Sequence, residues 1–281
     1  MNTFYIDRAA LHHTQRGWLL RLSRTGTLLS LAILSASVVL RLKSVIDANG
    51  HAVSLLDPDT EYAIRLLHRL SATTAGLITL TVLILSWRLR DTGLRVCKPA
   101  LCIAFSVLLL SIIGPLTSGY MYGGITVLNV LAGMLMLMAF WWLSETIATS
   151  DQTLQTGQQP DAVHPVFLWL MLHIASGAAA SAWYMVGMHW PVLLHLLTLA
   201  PLLALAGRKS TKPNTQAGLT GFALAAGLVA GLQLVSGGVL LWQAQRTFAA
   251  NLLHAVSAYL LMLLLVTSSM RSGAASKPDA S

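Results

Sequence analysis

Charge is what this 281-residue sequence has least of. Charged residues make up 10% of it, where a soluble domain carries roughly 25%, so a soluble globular fold is excluded. Against that background the net charge of +8 has to be read by location along the chain, and it does not call for a nucleic-acid partner. Cysteine is also scarce. Cys97 and Cys102 are the only two, five apart at the start of one apolar run, which sets them on different faces of a helix and argues against a disulfide or a metal pair. No signal-peptide cleavage pattern follows the first apolar run, because Leu28 to Leu40 leads straight into Arg41 and Lys43, so that run is expected to remain as a span.

Hydrophobic residues are abundant, at 55%, and they come in membrane-length runs of at least ~18 residues. The expected fold is an all-α integral membrane protein with eight transmembrane helices, arranged as two duplicated four-helix bundles. The runs place spans at about 18–40, 61–87, 99–121, 123–144, 163–186 and 192–207, with the last two between Phe222 and Leu265. Residues 1–17 read as an N-terminal tail, 18–145 as the first half, 146–162 as a linker, 163–269 as the second half and 270–281 as a C-terminal tail. Gly114-Pro115 marks a kink in the third span. With the N-terminus inside, thirteen of the eighteen lysines and arginines fall at inner ends and only Arg41, Lys43 and Arg246 in outer loops. That bias puts both termini in the cytoplasm.

The histidines carry the functional signal, since a histidine inside a membrane-length run is costly in lipid and needs a partner. Leu67-His68-Arg69-Leu70-Ser71 resembles Leu194-His195-Leu-Leu-Thr198, and Asn129-Val-Leu-Ala-Gly133 corresponds to His254-Ala-Val-Ser-Ala258. His173-Ile-Ala-Ser-Gly177 matches Gln233-Leu-Val-Ser-Gly237, where small residues allow close helix approach. His68, His195, His254 and Asn129 all fall in the outer third of the expected membrane. His195 and His254, at one depth in one four-helix half, could sandwich a flat cofactor such as haem, whose iron takes two axial imidazoles. Alternatively, each is a packing residue bonded to a carbonyl or hydroxyl. His173 is a candidate to line the same slot, and His164 and His189 sit at span ends. Arg69 and Arg246 are candidates to pair with haem propionates or to snorkel to headgroups.

The pattern Gln233-x-x-x-Gly237 followed by His254-x-x-x-Ala258, with His68-Arg69-Leu70 opening the second span, resembles the haem A synthase family of oxidase assembly proteins. The resemblance implies eight spans in two duplicated halves, in a bacterial-type inner membrane. It implies oxidation of the C8 methyl of haem O to the formyl group of haem A for cytochrome oxidase. It further implies haem b on His195 and His254, and the substrate haem on His68. The implied partners are haem O synthase, cytochrome oxidase subunits and a membrane electron donor. The sequence departs from the family at three places. Asn129 stands where the family has a fourth histidine. Arg65-Leu-Leu-His68 replaces Glu-x-x-His, leaving Glu61, seven residues before His68, as the candidate catalytic carboxylate. The first outer loop has no cysteine pair. A non-catalytic b-type cytochrome or assembly factor with a lapsed substrate site is the competing reading, and a transporter of inverted repeats fits poorly because the halves look parallel.

Overall fold

The structure, a computed structural model, describes residues 8–41, 44–46, 52–54, 56–92, 94–117, 123–149, 165–184, 190, 192–198, 217–242 and 248–274. These residues form α1 (Arg8–Arg41), a hairpin of β1 (Ser44–Ile46) and β2 (Ala52–Ser54), α2 (Pro58–Arg88) and α3 (Cys97–Thr117). They continue with α4 (Gly123–Ala148), α5 (Pro165–Tyr184), the helical residues 192–198 (α6), α7 (Ala217–Trp242) and α8 (Phe248–Ala274). Five helices are long and apolar enough to cross a membrane, and shorter apolar stretches, Trp169–Ala180 and Leu224–Leu240, lie in α5 and α7. Their lengths and composition mark a helical membrane protein. Apolar side chains such as Leu77, Leu80, Leu101 and Phe105 face outward from α2 and α3, as a bilayer environment requires.

Several boundaries differ from the sequence expectation, each for a local reason. α1 starts at Arg8 rather than Trp18, because Ala9, Ala10, Leu11 and the arginines beyond them are good helix formers with no proline to stop them. The loop expected over 41–60 contains the antiparallel hairpin, with Val45 opposite Val53. α2 begins at Pro58, before Glu61, because Asp57 caps it: its carboxylate accepts from the Thr60 N–H at 2.9 Å, and Pro58 takes the first turn. The Thr60 hydroxyl and N–H hold the Asp57 carboxyl below its usual range. α4 runs on to Ala148, into the expected linker. The rest of that linker, residues 199–207 of the sixth expected span, His164, His189 and Arg246 lie outside the described residues.

α1 and α3 each pack against both α2 and α4, so the first four helices close a ring. α4 is the hub, since it also packs against α5 and α8. One of its faces puts Met136, Phe140 and Leu143 into a cluster with Leu19, Val82 and Ile103. The other puts Met134 and Leu137 against Leu34, Leu170 and Met262. Polar ties hold the seams: Trp141 Nε1 donates to Thr267 Oγ1 at 2.7 Å, and Arg16 donates to the Ile147 carbonyl at 3.0 Å, satisfying an end group of α4. Hydroxyls inside the helices, among them Thr27, Ser30 and Thr79, return to carbonyls four residues back, which satisfies them without water.

The α1–α4 crossing is close at Gly26, where a Cβ would overlap the Phe140 ring. Gly26→Ala should therefore force the helices apart and destabilise the protein by about 1–3 kcal/mol, read as a lower Tm in detergent. An unchanged Tm would show that α1 and α4 are not in contact there.

Candidate functional site

The polar residues of α5 to α8 converge on three imidazoles. His173 is buried on α5, and His195 on α6 and His254 on α8 are half-buried. The His173 and His195 rings stack with centroids 4.0 Å apart and planes 15° from parallel. His254 meets His195 edge-on, at 5.9 Å between centroids and 76° between planes.

Two hairpins of helices hold the His195 and His254 rings in matching ways. His195 Nδ1–H donates to the backbone carbonyl of His173 at 2.9 Å, and His254 Nδ1–H donates to the carbonyl of Gln233 at 3.2 Å. Ser176 Oγ lies 3.3 Å from His195 Nδ1, and Ser236 Oγ lies 3.2 Å from His254 Nδ1. Gly177 and Gly237 follow those serines, and each leaves room for a ring. A Cβ at Gly177 would come within 2.8 Å of His195 Cε1, and one at Gly237 within 3.2 Å of His254 Cε1. Three residues past each histidine stands a hydroxyl residue: Thr198 Oγ1 donates to the His195 carbonyl at 2.8 Å, and Ser257 Oγ, which donates to the Gln233 side chain, lies 3.0 Å from the His254 carbonyl.

These bonds fix the tautomers. A carbonyl oxygen can only accept, so the proton of His195 and of His254 sits on Nδ1 and the lone pair on Nε2. This is the form in which an imidazole ligates a metal through Nε2, with the other nitrogen oriented by a carbonyl. His173 differs in its bonding. Thr198 spends its proton on the His195 carbonyl, so its oxygen accepts from His173 Nδ1–H at 2.9 Å. On the other hairpin, Gln233 Nε2 donates to His254 Nε2 at 3.1 Å, and Gln233 Oε1 accepts from Ser257.

The structure thus brings His195 and His254 together and adds His173 to them. His68 is half-buried on α2 and Asn129 half-buried on α4, while Arg69 is exposed. Glu61 does not stand apart as a lone acid: Arg65, one turn on, donates to its Oε1 at 2.8 Å and 2.6 Å. Both cysteines are free thiols. Among the described residues no group of three or more His, Cys, Asp or Glu side chains is arranged to hold a metal ion; the three imidazoles stack and cross rather than converge. Sequence reasoning missed the roles of Ser176, Ser236, Thr198, Ser257 and the Gln233 side chain. The shared His/Gln-x-x-Ser-Gly pattern was the available signal.

Fold and site together define a helical membrane protein with a histidine cluster in its C-terminal part. Comparison of the chain with protein-family models and with curated proteins finds no match.

Proposed function

We propose that this chain is an integral membrane haem protein resembling haem A synthase, which oxidises the C8 methyl of haem O to the formyl group of haem A. The observation that carries the reading is the His195–His254 pair, with both Nδ1 protons spent on carbonyls, which leaves the lone pair of each ring on Nε2, that of His254 accepting from the Gln233 amide. Their ring centroids lie 5.9 Å apart, on two helix hairpins that hold them in matching ways. His195 and His254 would hold haem b, which supplies one-electron redox chemistry when bound. The Gly177 and Gly237 clefts leave room for the Cε1 edge of each ring against the neighbouring helix, and the serines stand within 3.3 Å of its Nδ1.

In the first half, His68 would ligate the substrate haem O; Arg69 there and Arg246 in the second half would offer charge-assisted bonds to propionates. Glu61 is the carboxylate nearest His68 in sequence, and to handle protons there it must leave Arg65. That ion pair, with Asn129 in place of a histidine, favours the second reading, a b-type cytochrome or oxidase assembly factor without catalysis. The test is expression beside a haem O synthase in cells that make no haem A. Haem A should appear in the extract, vanish in His68→Ala and diminish in Glu61→Ala. Haem O alone, beside an intact b-type spectrum, would leave the non-catalytic cytochrome.

The same reading places eight spans in a bacterial-type inner membrane with both termini in the cytoplasm, as two duplicated four-helix halves. A reporter active only in the periplasm, fused after Lys277, should stay silent. Strong activity would overturn the topology.

A further inference from the structure

The two cradles differ at one atom, and the difference falls on the nitrogen that matters. His173 and Gln233 occupy equivalent places, three residues before the serine of each cradle. His173 turns its Nδ1–H to Thr198 and lays its ring flat on His195. Gln233 instead directs its amide N–H at His254 Nε2, 3.1 Å away. Its carbonyl oxygen accepts from Ser257, so the amide is oriented with its donor end toward the imidazole. Gln233 is itself buried, 5% exposed, and a buried lone pair on His254 is stabilised by that donor.

A lone pair on Nε2 can serve the amide or a metal, not both. We propose that Gln233 is a reversible cap on His254 Nε2, so that His195 is the first ligand to engage a haem iron and His254 engages only after the Gln233 amide swings away. This rests on the haem reading above. Displacing the cap is cheap on one side: the Ser257 hydroxyl, which now donates to Gln233, has the His254 carbonyl 3.0 Å away as a fallback acceptor. The cost falls on the Gln233–His254 bond itself. The cap acts through the histidine and touches no reacting atom, so Gln233 is a positioning residue.

The test is a stopped-flow titration of the full-length detergent-solubilised chain, stripped of haem, with ferric haem b. In the wild type two steps are expected, a first in which a high-spin, one-histidine spectrum appears and a slower second that gives the low-spin, two-histidine spectrum. Gln233→Leu keeps the volume and removes the donor. It should speed the second step and tighten low-spin binding roughly 3- to 10-fold, as loss of one competing hydrogen bond predicts. Gln233→His, which copies the arrangement at position 173, should act the same way and keeps the test open if the leucine variant does not fold. His254→Ala should abolish the second step and keep the first. Both variants matching the wild type in the second step, or loss of the first step in His254→Ala, would overturn the cap while leaving haem binding in place. A wild-type chain that binds no haem would overturn the haem reading, and the cap with it.

Discussion

Replacing His254 with alanine should turn a low-spin haem protein into one that holds its haem high-spin, and His195→Ala should lose the haem or hold it high-spin. The magnitude follows from coordination: an iron that His195 and His254 would hold between them is left one strong ligand short. A structural cost accompanies the functional one. His254→Ala strands the Gln233 amide, and His195→Ala uncovers the face of His173 that it stacks on at 4.0 Å. Leaving a buried donor unpaired costs about 1–3 kcal/mol, so Tm should fall as well. The two effects separate in His254→Gln, whose amide can still meet Gln233 yet is a poor iron ligand. It should recover stability without recovering the low-spin spectrum. If both alanine variants keep an unchanged reduced spectrum, the histidines are packing residues and nothing more.

The second large effect is steric. Gly177→Val and Gly237→Val should each eject an imidazole from its cleft. A Cβ already comes within 2.8 Å of His195 at Gly177 and 3.2 Å of His254 at Gly237, and a β-branched side chain adds two further methyls to that space. Rotating the ring away breaks its Nδ1 bond to the carbonyl and swings Nε2 out of line, so haem content should fall on the order of tenfold, the equivalent of one lost interaction of ~1.4 kcal/mol. The alanine variants should be graded. Gly237→Ala asks its neighbour to give a few tenths of an ångström and should retain most of its haem, whereas Gly177→Ala should lose more. Haem-to-protein ratios of the purified variants read this directly. Equal, full occupancy in both valine variants would show that the rings do not occupy these clefts when haem is bound.

Much of the helical part of this protein was legible because its signal is local. A run such as 123–144 is apolar all round, and such a run becomes a buried or membrane helix whatever surrounds it. The cap of α2 was also written locally, in Asp57-Pro58, but a reading keyed to hydrophobic runs starts the helix at Glu61 and passes over it. The β1–β2 hairpin escaped for a related reason, since three-residue strands in a polar loop carry too short an alternation to register. At the site, His195 and His254 could be paired from their spacing and surroundings. The Gln233 amide could not be placed on His254 Nε2, because that contact depends on how α7 crosses α8, and side-chain direction across a helix pair is not a property of either helix alone. The Glu61–Arg65 pair was within reach, as an i, i+4 acid and base on one face of a helix.

In the haem reading two imidazoles, held by the carbonyls of His173 and Gln233, share one iron. The most direct measurement is the reduced-minus-oxidised absorption spectrum of the purified wild-type protein, with haem extraction and mass analysis of the same sample. A sharp low-spin b-type spectrum and about one extractable haem b per chain, lost with the His195–His254 pair, are expected. A folded, monodisperse protein that carries no haem, and takes none up when haem is added, would contradict the haem reading.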